Sequence, residues 1–238
     1  MTKQLSILKK LAMAGAAILL LAGCSNLSGG NSASNSDKAQ KLVDKSKTTV
    51  CSFRAIPQDK IATRKLFSNA KGVVVLPSVV RGGYIGGIDS GSGTLITKGN
   101  SGNWGYPSFY SVNNVSIGFQ AGIDNTEMVL FLMSNKAVDA VIKNQFRFGA
   151  DAGLSVAVWG GGAEGSTTTN MGTDIVVLNK TKLGLYGGVS LKSGALVRRK
   201  DLNEAYYGQG ASPITINQEH SQANDNAQGL RMALSGGC

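Results

Sequence analysis

The sequence predicts an α+β domain: a glycine-rich, mainly antiparallel curved sheet or partly closed barrel with a few flanking helices. Three observations carry this expectation. Short β-branched runs separated by glycine-rich turns fill most of residues 73–198, and connections of hairpin length favour antiparallel pairing. Glycine, 32 of 238 residues, is at about twice its usual share and recurs inside the strand patterns, where it marks bulges, sharp bends or close backbone approach. Helical periodicity is confined to the segments before residue 70, one interruption near 137–142, and the region after 200.

The chain opens on a secretory pattern. Lys3, Lys9 and Lys10 precede an apolar run over 11–22, and Ala22-Gly23 supplies a small-residue cleavage flank. That run is too short to span a bilayer, which needs about 20 residues. Leu21-Ala22-Gly23-Cys24 resembles the bacterial lipobox, which implies removal of residues 1–23 and acylation of Cys24, with palmitate among the chains, as the mature N-terminus. An ordinary cleaved leader followed by an incidental cysteine is the alternative. Several acyl chains anchor stably, since each buried CH₂ contributes about 0.8 kcal/mol. Ser25 in place of Asp resembles the enterobacterial pattern for the outer membrane, so the expected location is the bacterial cell envelope, lipid-anchored in the outer membrane and facing the periplasm. Residues 24–37 then read as acylated cysteine and flexible Ser/Asn/Gly tether.

The folded part, 38–208, begins with a helix that sets Ala39, Leu42 and Val43 on one side and Lys38, Lys41 and Lys45 on another. Pro57 suits the first turn of a second helix, which runs to Asn69 before Gly72 stops it and carries Lys60 and Arg64 one turn apart. Strands follow at 73–80, 83–89, 93–97, 115–121 and 127–133. One helix interrupts them, with Ser134 or Asn135 as its N-cap and Ala137, Val138, Val141 and Ile142 as its apolar face. Strands resume at 146–159, 173–178, 184–191 and 195–198, a short helix spans 201–207, and 209–238 reads as a polar tail with helical tendency over 218–234. At an offset of 101 residues, Gly83-Tyr84-Ile85-Gly86-Gly87-Ile88 echoes Gly184-Leu185-Tyr186-Gly187-Gly188-Val189. Duplication and recurrent hairpin chemistry both fit that echo.

Composition and motifs argue against an enzyme. His220 is the single histidine and falls in the expected tail, leaving the body without a Ser-His or Cys-His pair. No metal-ligand spacing is visible. Gly160-Gly161-Gly162-Ala163-Glu164-Gly165 satisfies the dinucleotide fingerprint, but Ser166-Thr167-Thr168-Thr169 leads into a strand, so no helix N-terminus is there to hold a pyrophosphate. No cofactor and no metal are expected. Cys51 and Cys238 are the two cysteines besides Cys24; an oxidising compartment allows a bridge between them, and a buried Cys51 with a loose Cys238 fits equally well.

Charge points to acidic partners. The formal charge is +10, and loss of Lys3, Lys9 and Lys10 with the leader leaves +7. Such a surface is drawn to anionic lipid, nucleic acid or other acidic polymers, and export past the inner membrane makes nucleic acid the poorest choice. Lys38, Lys41, Lys45, Lys60 and Arg64 are therefore the candidate lipid contacts, with Arg198-Arg199-Lys200 as a further basic stripe. A solvated face is the plain alternative for each.

An ordered series of motifs carries a resemblance. Ala70-Lys71-Gly72-Val73-Val74-Val75-Leu76-Pro77, Gly82-Gly83-Tyr84-Ile85-Gly86-Gly87, Trp104-Gly105-Tyr106-Pro107-Ser108-Phe109, Gly118-Phe119-Gln120-Ala121-Gly122, Phe148-Gly149-Ala150-Asp151 and Asn203-Glu204-Ala205-Tyr206-Tyr207-Gly208 together resemble the SYLF domain. The resemblance implies a non-catalytic lipid-binding module, with phosphoinositide binding in eukaryotic members and small lipoproteins among bacterial ones. Gly105-Tyr106 stands where many members carry Ser-Ala between Trp and Pro. The expected function is a membrane-anchored lipoprotein that binds anionic phospholipid; an envelope scaffold for a protein partner or peptidoglycan is the alternative.

Overall fold

The computed structural model describes residues 34–56, 60–82, 87–116, 124–143, 146–147, 153–159, 172–181, 184–185 and 194–238. The leader, Cys24, the expected tether up to residue 33, the fingerprint at 160–165 and most of the expected strand over 184–191 lie outside the described residues. Residues Asn35–Cys238 group as one unit.

The chain runs through α1 (Asn35–Arg54), α2 (Lys60–Asn69), β1 (Gly72–Gly82), β2 (Gly87–Thr97), β3 (Ser108–Ser116), β4 (Asp124–Leu132), α3 (Asn135–Lys143), β5 (Val156–Trp159), β6 (Ile175–Thr181), β7 (Gly184–Leu185), β8 (Gly194–Arg198), α4 (Lys200–Tyr207) and α5 (Gln228–Ser235). The strands form one curled sheet in the order β5-β6-β4-β1-β2-β3-β8, with β7 pairing β6 off that path. Among the described residues all strand pairings are antiparallel except that of β5 with β6. The α+β class, the antiparallel bias and the curved sheet expected from the sequence are what the structure contains.

Both faces of the sheet are covered, so the central strands carry consecutive buried apolar residues, Val73 to Leu76 in β1 and Met128 to Leu132 in β4, rather than only alternate ones. On one face Val73, Val75, Ile96, Phe109, Val129, Phe131 and Leu178 pack under α1, α2, α4 and α5. On the other, Val74, Leu76, Leu95, Tyr110, Leu130 and Val177 pack with Val141 and Ile142 of α3. Helix α1 buries Ala39, Leu42, Val43, Ser46, Thr49, Val50 and Phe53. Its polar members are satisfied: the Thr94 hydroxyl donates to Ser46 Oγ at 3.0 Å, and Thr49 and Ser52 donate to the Glu127 carboxylate at 2.9 and 3.0 Å.

Pro77 sits in β1, in the middle of the sheet, where the missing N–H is tolerated only at a bulge. The register of β1 shifts between Val75 and Ser78 against β2, and between Leu76 and Val79 against β4. Glycine opposite the bulge makes room for it. A Cβ on Gly93 would lie 2.1 Å from the Val75 carbonyl oxygen, and one on Gly91 would lie 2.5 Å from that of Ser78. The Gly91-Ser92-Gly93 run is therefore strand interior, and residues 87–89 of the expected strand at 83–89 belong with the expected strand at 93–97 to the single β2, while 83–86 lie outside the described residues.

The expected polar tail after residue 208 is a packed part of the domain. Ala211, Ile216, Ala227, Leu230, Ala233 and Leu234 are buried. A short π-helical turn, Ile214–Gln218, carries Asn217, whose amide donates to the carbonyls of Leu95 (3.2 Å) and Tyr106 (3.0 Å) and whose Oδ1 accepts from the Ser108 hydroxyl. Asn203 similarly ties α4 to β3, accepting from Phe109 N–H at 2.9 Å and donating to its carbonyl at 3.3 Å. Tyr206 donates to Gln40 Oε1 at 3.0 Å, and Tyr207 donates to the Pro107 carbonyl at 2.6 Å. These asparagines and tyrosines pair the backbone groups that helix and strand ends leave open, which is why a polar segment can be buried. Cys51 and Cys238 are joined by a disulfide with a Cα–Cα separation of 5.6 Å, fastening the last residue to α1.

Candidate functional site: basic faces and clefts

Lys38, Lys41 and Lys45 are all exposed, along one flank of the buried side of α1. Spacings of three and four residues put them in one stripe. Lys38 Nζ reaches Asn35 Oδ1 at 3.5 Å, while Gln40 donates to Asp44 at 2.9 Å beside the stripe. Among the described residues, Lys41 and Lys45 form no ion pair. The stripe is thus exposed cationic surface at the N-terminal end of the domain.

Arg64 lies elsewhere. It shares a cleft of about 460 Å³ with Cys51, Arg54, Ala55, Ser235, Gly236 and Cys238, at the C-terminal end of α1. At 1.5 Å rise per residue, Lys38 and Arg54 are about 24 Å apart along the helix axis. The five candidate contacts therefore do not form one patch, and the side chain of Lys60 lies outside the described ones. Two cations of the third stripe are paired: Arg199 makes a two-pronged contact with Asp201, at 2.9 and 2.7 Å, and Lys200 approaches Glu204 at 3.8 Å. The Asp201 contact holds the Arg199 guanidinium above its ordinary range and the Asp201 carboxyl below its own.

Arg54 was not legible as a site residue. Its guanidinium stacks over Phe67 at 4.2 Å and donates to the Leu234 carbonyl at 2.5 Å, leaving Nε buried without a partner. Burial, and then repulsion from Arg64, push its pKa below the ordinary value. Only a pairing of Cys51 with Cys238 would have signalled that the chain end and these two arginines converge. Lys98, by contrast, has a structural role. Its Nζ donates to the carbonyls of Phe67 and Ser68 at the end of α2, at 3.2 and 2.6 Å, and lies 4.7 Å from the Trp104 ring centre.

A larger open cleft, about 930 Å³, lies between the end of α2, the loop after β2, α3 and the π-helical turn. Lys71, Lys98, Asp139, Glu219 and His220 all line it. His220 is thus part of the folded body rather than of a free tail. Burial lowers its pKa. Among the described residues no group of three His, Cys, Asp or Glu side chains could hold a metal ion, and no helix is long and apolar enough to cross a membrane.

Helices on both faces of a curled, glycine-pinched antiparallel sheet, with the C-terminal segment locked in by asparagine and tyrosine, define an α+β domain of the SYLF class. The chain belongs to the Ysc84 family, whose model, described as Las17-binding protein actin regulator, matches residues 113–236. It is 31% identical over 180 residues to the Xenopus laevis SH3 domain-containing YSC84-like protein 1, covering 75% of this chain and 52% of that protein. Identity to the human protein of the same name is 30% over 152 residues, covering 63% and 44%. Protein YSC84 of Saccharomyces cerevisiae is 25% identical over 161 residues, covering 66% and 34%. The chain thus spans about half, or less, of the length of these relatives.

Proposed function

We propose that this chain is a non-enzymatic, membrane-tethered domain that binds anionic phospholipid at the periplasmic face of the bacterial envelope, anchored through acylated Cys24. The observation that carries this reading is the exposed stripe of Lys38, Lys41 and Lys45 at the start of the domain. Ten residues lie between Cys24 and Asn35, and a Ser/Gly-rich chain of that length reaches about 16–19 Å. Each lysine near an anionic surface contributes about 1 kcal/mol, which salt weakens. Three in one stripe on a domain already held nearby suffice for a preference between neutral and anionic bilayers.

The test is flotation of the unacylated chain from Ser25 onward with phosphatidylcholine vesicles, with and without phosphatidylglycerol, over a salt series. Salt-sensitive binding to the anionic vesicles, weakened by Lys41→Glu together with Lys45→Glu, supports the reading. Equal behaviour with both vesicle types removes it. The second reading, a scaffold for a protein partner, draws on the family's description as Las17-binding protein actin regulator, and gains if vesicles are not bound.

A further inference from the structure

The cleft beside the disulfide holds two guanidiniums that have no ion-pair partner among the described residues. Arg54 and Arg64 line it together, and burial first and repulsion from Arg64 second lower the Arg54 pKa. Arg54 is moreover partly desolvated, with Nε buried and unpartnered. Desolvating a cation without an opposite charge is costly, and two guanidiniums side by side raise that cost. A charge arrangement of this kind is stabilised by an anion that both can reach.

The rest of the cleft defines the kind of anion. Its walls are Ala55, the Cys51–Cys238 bridge and the Ser235-Gly236 turn, where Gly236 adopts a left-handed φ of 110°. No Cβ projects there, and Arg54 Nη1 is the nearest atom, 3.9 Å from where one would stand. Guanidinium groups present planar forks of N–H donors that match phosphate oxygens in pairs. A phosphate dianion supplies two charges for two guanidiniums and oxygens enough for both forks, whereas a carboxylate supplies one charge and two oxygens.

We propose that the cleft formed by Arg54, Arg64 and the Cys51–Cys238 bridge is a binding site for a dianionic phosphate group. The site is separate from the lysine stripe on α1 and does not depend on that stripe touching a membrane.

Calorimetric titration of the purified full chain with inorganic phosphate in chloride buffer, at about pH 7.5 where the second phosphate proton is lost, tests it. Saturable one-site binding is expected. Arg64→Gln weakens it about tenfold or more. Arg54→Gln acts in the same direction, with a thermal melt to show that loss of its Leu234 and Phe67 contacts has not unfolded the domain. Lys143→Gln, on α3 against the opposite sheet face, leaves binding unchanged. A second titration uses monomeric dihexanoyl phosphatidic acid. Tighter binding than inorganic phosphate assigns the cleft to a lipid headgroup; equal binding assigns it to free phosphate. Absence of saturable binding for both ligands, or binding that Arg64→Gln leaves intact, overturns the proposal.

Discussion

Gly105 and His220 are packed so closely that residue 105 has no room for a side chain while the histidine ring stays in place. A Cβ at residue 105 would lie 2.8 Å from His220 Nδ1 and 3.1 Å from the Thr97 carbonyl oxygen, to which Gly105 N–H already donates at 2.8 Å. His220 itself holds a φ of 52°, the left-handed region that a β-carbon disfavours. This pair accounts for the glycine after Trp104, where many SYLF domains carry a larger residue. Gly105→Ala is expected to cost about 1–3 kcal/mol through overpacking. His220→Gly removes both the ring and the backbone strain, so the double variant should be more stable than the two single effects summed. Urea denaturation of the four-protein cycle measures this coupling; strictly additive effects would show that the ring can swing away without cost.

Glycines in this chain differ sharply in what a methyl group would meet. At Gly93 it would meet the Val75 carbonyl oxygen at 2.1 Å and Leu76 Cδ2 at 2.6 Å, both held by the bulge around Pro77. At Gly229, inside α5, it would meet only the flexible end of Lys47, at 3.3 Å or more. Gly93→Ala should therefore destabilise by about 3 kcal/mol or more. Gly229→Ala should stabilise by up to about 1 kcal/mol, because alanine restricts the unfolded chain and favours helix. Thermal melts of both variants give the comparison, and a tolerated Gly93→Ala would contradict the bulge as the cause of the glycine-rich strand.

These contrasts also mark what the sequence made legible. The β-branched run over 73–80 located β1, and glycine inside strands correctly signalled close backbone approach. The partner of each glycine was out of reach, because a bulge in β1 is what presses on Gly91 and Gly93 in β2, and glycine beside serine reads equally well as a turn. Strand β3 begins at Ser108, earlier than the expected 115, since Trp104-Gly105-Tyr106-Pro107 reads locally as loop. The C-terminal segment looked like a tail because hydropathy treats Asn217 and Asn224 as solvated, whereas their amides donate to the carbonyls of Leu95 and Tyr206. For the sites, helical spacing was enough to place Lys38, Lys41 and Lys45 on one exposed side. The meeting of Arg54 and Arg64 depends on α2 and the chain end folding back onto α1, and no local pattern encodes that.

Asp174 connects two elements that are remote in sequence. Its carboxylate accepts from the Ser134 hydroxyl at 2.6 Å and from Ser155 N–H at 3.0 Å, while Ser134 Oγ accepts from Ala137 N–H at 3.1 Å and so caps α3. The Ser134 hydroxyl first, and Ser155 N–H next, hold the Asp174 carboxyl below its ordinary value. A carboxyl depressed in the folded state contributes stability that is fully present above its unfolded pKa, about 3.9, and is lost as pH falls through the lower folded value. Because Asp174 is only partly buried, solvent screens some of this effect. Asp174→Asn should therefore lower the urea midpoint at neutral pH, and its deficit relative to wild type should shrink as pH falls below about 4. Ser134→Ala should cost about 1 kcal/mol at neutral pH and show the same narrowing, because it removes the largest single cause of the depression. A deficit for Asp174→Asn that stays constant from neutral pH into the acid range would mean that the carboxylate charge has no part in joining α3 to β5.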